Sequence, residues 1–408
     1  MSIANRAPRG SRHTIALIGR RNAGKSSLLN LLIGQQVTIV SDRPGTTTDP
    51  VAKGYELLPL GPVTFYDTAG LDDEGELGQL RVAASRKVLY RADMALVVVD
   101  DSGLTEYERH WMSELNQLKL PFLLVFNKTD LAGPSAADRA YCDDHNIPYQ
   151  LASCTQNEGG DAIKLALYEL APAELKCTPP LLGDLYGPGD HLLCVVPIDM
   201  AAPVGRLILP QVQVLREALD RGALATVVKE SELKQALAMM TTPPALVVAD
   251  SQVIDEVDRL VPGHIPLTTY STAFARFKGD LPIMIEGAEA LDSLAHGDRI
   301  LIAEACNHHA QDDDIGRVKL PRWIRRYSGK ELNFDVVAGH DFPDDLEQYK
   351  LVVHCGACMQ NRNEVMRRLR ECQRRGVPIT NYGVAISKLQ GVLDRIAQPF
   401  APKPGKAA

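Results

Sequence analysis

Gly19-Arg20-Arg21-Asn22-Ala23-Gly24-Lys25-Ser26-Ser27 is the stretch that decides the fold. It has the spacing G-x-x-x-x-G-K-S, with an apolar run, Thr14–Ile18, just before it and a helix-periodic run, Ser26–Leu32, from its end. A glycine-rich turn between strand and helix lets backbone N–H groups close around phosphates, and the helix N-terminus adds a favourable partial charge. Lys25 then reaches the outer phosphates of a nucleotide and the Ser26 hydroxyl is placed for Mg²⁺. Gly19, Ala23, Gly24 and Ser27 complete the cradle.

Working outward, short apolar runs alternate with helix-periodic ones almost throughout. Strands are expected at Thr14–Ile18, Val63–Tyr66, Met94–Val99 and Phe122–Phe126, with helices at Ser26–Leu32, Leu77–Tyr90 and Ala162–Leu170. Gly61-Pro62 reads as the turn of one antiparallel hairpin between Leu57–Leu60 and Val63–Tyr66. The pattern predicts an α/β fold, a doubly wound and mostly parallel sheet with helices on both faces. A Pro- and Gly-rich break from Cys177 to Gly189 closes this first domain, 1–175.

Two further α/β segments follow. The middle one, 180–268, repeats a strand-helix unit: Leu192–Val196 with Leu209–Leu219, Ala225–Val228 with Glu232–Met239, and Ala245–Val248 with Val253–Leu260. It shows no catalytic constellation, and its apolar helices suit docking or dimerisation. The last, 272–398, has strands at Arg299–Ala303, Phe334–Val337, Lys350–Val353 and Val377–Thr380. Its helices are expected near Arg317–Tyr327, Asn363–Arg374 and Val384–Ile396, and the tail from Pro399 reads as disordered.

Two more motifs sit at strand ends in the first domain. Asp67-Thr68-Ala69-Gly70 follows Val63–Tyr66, where Asp67 can hold Mg²⁺ through water and the Gly70 N–H can meet the γ-phosphate. Asn127-Lys128-Thr129-Asp130 follows Phe122–Phe126. The Asp130 carboxylate can accept two N–H bonds from guanine, a pairing adenine does not offer, so the nucleotide is GTP or GDP. Ser153-Cys154 stands where a last guanine-contact loop is needed.

Charge narrows the class. The net charge of −7 speaks against a broad nucleic-acid footprint, although Arg322, Arg325 and Arg326 form a local basic group. No apolar run reaches the roughly 18 residues that cross a bilayer. The segment before the first strand lacks the apolar core of a signal peptide, so a cytosolic protein is expected. In that compartment the 8 cysteines do not read as a disulfide framework. Cys142, Cys154, Cys177, Cys194 and Cys372 are scattered. Cys306, in Cys306-Asn307-His308, and the pair in His354-Cys355-Gly356-Ala357-Cys358 each follow a predicted strand. Carboxyl ends of strands gather in one crevice, so these residues can meet. Cys358 also precedes a helix, whose N-terminus favours thiolate. Three thiolates suit an iron–sulfur cluster or zinc, with His308 or His354 as a fourth ligand or as a supporting residue. On donor chemistry alone both metals fit.

The first domain resembles the translation-factor-class GTPases of the TrmE–Era–Der group. Gly45-Thr46-Thr47-Thr48-Asp49 resembles that group's switch I, which implies that Thr47 is an Mg²⁺ ligand. Leu71 stands where Ras-like enzymes place a water-orienting glutamine. Asn22 matches the asparagine by which potassium-activated members hold K⁺, implying that K⁺ takes the role of an arginine finger; the plainer reading is that Asn22 stabilises the loop turn. Lys25, Asn22, Thr47 and Gly70 are the implied catalytic group.

With the cysteine pattern added, nearly the whole chain resembles the HydF family of [FeFe]-hydrogenase maturation GTPases. Pro197-Ile198-Asp199 and Gly205–Gln211 also resemble that family's middle segment. The resemblance implies a homodimer through the middle domain and a [4Fe–4S] cluster on Cys306, Cys355 and Cys358, with Asp199 a candidate fourth ligand. It also implies a scaffold that takes a diiron precursor from the radical-SAM maturases HydE and HydG and delivers it to the apo-hydrogenase, with no membrane or nucleic-acid partner. The competing expectation is a potassium-activated GTPase of tRNA modification or ribosome assembly with a C-terminal zinc module.

Overall fold

The computed structural model describes residues 12–34, 51–67, 88–176, 180–198, 207–305, 314–339, 342–343, 345–358 and 360–401. They fall into two compact units, Met1–Thr178 and Pro179–Ala408.

In the first unit, β1 (His13–Ile18) leads into α1 (Lys25–Ile33). Then come β2 (Val51–Leu57), β3 (Gly61–Asp67), β4 (Met94–Val99), α2 (Glu106–Gln117), β5 (Phe122–Phe126), α3 (Ala136–Asp144), β6 (Tyr149–Leu151) and α4 (Gly160–Leu170). The sheet order is β2-β3-β1-β4-β5-β6, antiparallel only between β2 and β3. Strands covered on both faces must be apolar throughout, and Met94–Val99 is buried at every residue. Leu28, Leu32, Ile163 and Leu167 fill one face; Trp111, Leu115 and Cys142 fill the other.

The hairpin turn is Leu58–Leu60, not Gly61-Pro62, which open β3. Proline has no N–H for a ladder, and the β1–β3 pairing begins only at His13↔Val63, past Pro62. Nothing in the apolar pattern of the sequence announces α2 and α3. Both are largely polar, and both start at capping boxes, Thr105 with Glu108 and Ser135 with Asp138. Of the expected helix Leu77–Tyr90, residues 77–87 lie outside the described residues.

The second unit contains two parallel sheets. The first comprises β7 (His191–Val195), β8 (Leu224–Val228), β9 (Leu246–Ala249) and β10 (Leu267–Thr269), in the order β10-β9-β7-β8. Its crossovers are α5 (Leu209–Asp220), α6 (Leu233–Met239) and α7 (Ile254–Leu260). β8 is an edge strand with Leu224 60% and Val227 43% exposed. From β10 the chain enters α8 (Tyr270–Lys278) and α9 (Leu281–Glu289), neither foreseen from the sequence.

The second sheet has the order β12-β11-β13-β14, from β11 (Arg299–Glu304), β12 (Asn333–Ala338), β13 (Leu351–His354) and β14 (Ile379–Asn381). A π-helical turn, Ile315–Lys319, precedes α10 (Leu320–Ser328), where one α-helix was expected. α11 (Arg362–Arg374) follows β13. The expected helix Val384–Ile396 is two, α12 (Tyr382–Leu389) and α13 (Leu393–Ala397), because Gly391 turns left-handed at φ 73°. Val247, Ile254, Leu281, Leu301, Val352 and Leu369 belong to one apolar cluster, so the two sheets share a core. No described helix is long and apolar enough to cross a membrane.

Candidate functional site

The first site lies at the carboxyl ends of β1, β3 and β5. Lys25 is 8% exposed, and its Nζ donates to Gly19 O at 2.6 Å and Arg20 O at 2.8 Å, which holds the ammonium within the loop. Asn22 sits at φ 62°, a left-handed position that asparagine tolerates. The Ser26 hydroxyl donates to Asp67 Oδ2 at 2.7 Å. Asp67 Oδ1 is buried and has no hydrogen-bond partner among the described residues. A hydroxyl and a carboxylate facing one another with an oxygen to spare suit a hard cation such as Mg²⁺. Thr47, Gly70 and Leu71 lie outside the described residues.

Arg20, which the sequence reading did not single out, ties the phosphate loop to the segment after β4. It donates to Glu108 Oε1 at 2.7 Å, Asp100 Oδ1 at 2.9 Å, Ser102 Oγ at 2.8 Å and Gly103 O at 3.2 Å. Glu108 is fully buried and also closes the α2 capping box through Thr105 N at 2.9 Å. Burial raises the Asp100 pKa, but the Ser102 hydrogen bonds and the Arg20 charge outweigh it and hold the carboxyl below its ordinary range.

The base-reading residues are connected to the same loop. The Asn127 amide nitrogen donates to Ala23 O at 2.9 Å, and its oxygen accepts from Cys154 Sγ at 3.2 Å. Asp130 is oriented by the hydroxyls of Ser153 at 2.6 Å and Thr155 at 2.8 Å. Those two bonds, Ser153 foremost, hold its carboxyl below the usual range. Lys128 adopts φ 60° and lies 3.4 Å from Asp101. Burial raises the Cys154 thiol, so it stays protonated and serves as a donor.

The second site lies at the carboxyl ends of β11 and β13. Ala303 pairs with His354, which places the two following loops side by side. Cys355 N donates to Ala303 O at 2.8 Å, and the Cys355 sulfur accepts N–H bonds from Ala305 at 3.0 Å and Ala357 at 3.4 Å. A sulfur aimed at by amide N–H groups fits a thiolate ligand. Cys306, His308 and Asp199 lie outside the described residues, and among those described no three metal-ligating side chains converge. Cys358 does not gain the thiolate stabilisation expected from a helix N-terminus. α11 begins only at Arg362, with its Glu364 N–H capped by Asn361, and burial raises the Cys358 thiol.

His354 is 1% exposed and both its ring nitrogens are engaged. Arg368 can only donate, so Nε2 accepts from Arg368 Nη1 at 3.0 Å and Nδ1–H donates to Cys355 O at 2.8 Å. Burial, reinforced by the Arg368 charge, pulls its pKa down to about 4. In this arrangement His354 braces the cysteine loop and has no lone pair left for a metal. Arg368 also donates to Gly339 O at 2.7 Å and lies 3.5 Å from Glu364, which accepts from Gln360 at 3.1 Å. This buried network had one sequence signal, a Glu-Arg pair at i, i+4 on the face that also carries Val365, Leu369 and Cys372.

Comparison with known proteins gives three matches to family models. Residues 14–128 match the model described as 50S ribosome-binding GTPase, 181–279 the hydrogen maturase F dimerization domain, and 282–399 the hydrogen maturase F tetramerization domain. GTPase Era of Caldicellulosiruptor saccharolyticus is 37% identical over 121 residues, covering 29% of this chain and 40% of that protein. The tRNA modification GTPase MnmE of Nitrosomonas europaea is 36% identical over 159 residues, covering 38% of this chain and 34% of that protein. The chain thus spans well under half the length of these relatives. The G domain of the T. maritima FeoB iron transporter is 25% identical, with a TM-score of 0.32 over 39% of this chain and 98% of that one. With both oligomerization domains in tandem behind a GTPase domain, the chain belongs to the hydrogen maturase F family.

Proposed function

We propose that this chain is a GTP-hydrolysing scaffold that holds a [4Fe–4S] cluster on Cys306, Cys355 and Cys358 and carries a diiron precursor to [FeFe]-hydrogenase. The observation that carries the reading is the Cys355 sulfur, held at a strand end with the Ala305 and Ala357 N–H groups aimed at it. The cluster supplies a soft iron–sulfide surface with an exchangeable iron; the chain supplies the thiols and the network that orients them. The sources of the diiron precursor are the radical-SAM maturases HydE and HydG.

In the GTPase domain, Lys25 and the loop N–H groups bind the phosphates, Ser26 and Asp67 with Thr47 hold Mg²⁺, and the Gly70 N–H meets the γ-phosphate. Asn22 holds K⁺, whose charge offsets that developing on the phosphates. Asp130, Asn127 and the Ser153-Cys154 loop select guanine. Hydrolysis relaxes the switch segments and changes how the scaffold meets its partners. The middle domain dimerises.

The test is iron and sulfide analysis with EPR of anaerobically prepared protein. Iron and sulfide lost on Cys355→Ala support the reading, whereas one zinc per chain and no iron overturn it. GTP turnover that rises in K⁺ over Na⁺ and loses that response in Asn22→Ala tests the cation role.

A further inference from the structure

Lys278 ends α8 and is 2% exposed, yet it carries an ammonium group. Its Nζ donates to Ala357 O at 2.7 Å, Gln360 O at 2.8 Å and Cys358 O at 3.4 Å. An ammonium has three N–H donors, and here they face three carbonyls of one short segment. The stem passes the ring of Phe274, with Nζ 5.5 Å from its centroid. A buried charge is costly unless its surroundings compensate it, and a methionine would fill the same slot without that cost.

The segment that Lys278 grips is the cysteine loop. Ala357 sits left-handed at φ 53° without being glycine, a conformation its surroundings must enforce. The peptide unit between Ala357 and Cys358 gives its carbonyl to Lys278, and its other end is the Cys358 N–H. A peptide is planar, so fixing one end aims the other. Arg362, the first residue of α11, locks the same junction from the opposite side through Phe277 O at 2.7 Å and Gly279 O at 3.0 Å. α8 lies in the segment matching the dimerization domain, whereas the cysteine loop lies in the segment matching the tetramerization domain.

We propose that Lys278 is a positioning residue for the metal site: from the end of the segment matching the dimerization domain, its ammonium holds the Ala357, Cys358 and Gln360 carbonyls so that Cys355 and Cys358 present their sulfurs to one soft metal centre. The inference rests on the reading of those cysteines as ligands.

The test uses the full chain, reduced and metal-free, titrated with Cd²⁺ and followed by thiolate-to-metal charge-transfer absorption and the ¹¹³Cd chemical shift. Lys278→Met is expected to bind Cd²⁺ at least tenfold more weakly, with a shift reporting fewer sulfurs, while its metal-free circular dichroism matches the parent. Lys278→Gln, which restores neutral N–H donors, is expected to fall between. Parental affinity and shift in Lys278→Met overturn the proposal while Cys355→Ser still weakens binding. Parental binding in Cys355→Ser instead overturns the ligand reading beneath it. Loss of the fold in both Lys278 variants also overturns the proposal, because the residue would then hold the core and not the loop.

Discussion

The side-chain nitrogen of Asn127 donates to the main-chain oxygen of Ala23 at 2.9 Å, so the base-reading loop and the phosphate loop form one rigid piece. Gly24 stands between them. A Cβ there would lie 2.2 Å from Asn127 Nδ2, and the backbone is left-handed at φ 92°. Strain of about 1–3 kcal/mol is therefore expected from Gly24→Ala, which lowers GTP affinity by about tenfold or more. Titration with a fluorescent GTP analogue measures it; unchanged affinity would show that the two loops move independently.

The role proposed for Asp130 predicts which base is accepted. Asp130→Asn removes a charged acceptor of two guanine N–H groups, each worth about 1.5–3 kcal/mol, so a loss of roughly 100-fold or more in GTP affinity is expected. The amide can instead donate to the 2-oxo group of xanthine, so affinity for XTP should rise in the same variant. Competition binding with both nucleotides reads the exchange.

The same carboxylate sets a pH limit. Ser153 and Thr155 hold the Asp130 pKa below its ordinary value, and binding needs the ionised form. GTP affinity should stay level from neutral pH through the ordinary aspartate range near about 4 and fall only below it. Ser153→Ala removes the larger cause, so the fall should begin at higher pH. Coincident profiles for the two proteins would remove Ser153 from the account.

The outer edge of β8, open among the described residues, predicts how copies meet. Leu224 and Val227 are exposed on β8, which pairs with β7 on one side only among the described residues, within the segment matching the dimerization domain. A lysine on a strand edge resists pairing with a second copy. Val227→Lys should shift the protein from dimer toward monomer in light scattering at micromolar concentration while leaving GTP turnover per chain unchanged.

Arg368 tests the buried network. It is 1% exposed and joins His354, Gly339 and Glu364. Arg368→Met removes the cation beside the buried Glu364 carboxylate, and breaking a buried pair by taking away one partner costs about 3–5 kcal/mol. A clear drop in the melting temperature of the second unit is expected, larger than that of Arg370→Met, whose site is exposed.

Most of the sheet framework was legible because parallel strands covered on both faces must be apolar throughout, as Met94–Val99 and Phe122–Phe126 are. β10 escaped because three residues carry no period, and α2 because its capping box had to outweigh a polar sequence. The phosphate and base motifs were legible because their chemistry is local. Arg20 and Lys278 were not. A basic residue at a loop or helix end ordinarily extends into water, and only tertiary contact turns these two inward. His354 reads as a candidate ligand because it adjoins the Cys355-Gly356-Ala357-Cys358 pattern, and Arg368, 14 residues on, engages its lone pair instead.

Lys278 also limits how this chain can be cut or recombined. A boundary drawn between residues 279 and 282 by similarity separates the cysteine loop from the ammonium beneath it. A transplanted C-terminal segment would arrive without part of its own floor, so the smallest portable cassette starts no later than β7. Inheritance of the cysteine loop is thereby tied to inheritance of the oligomerization module that precedes it.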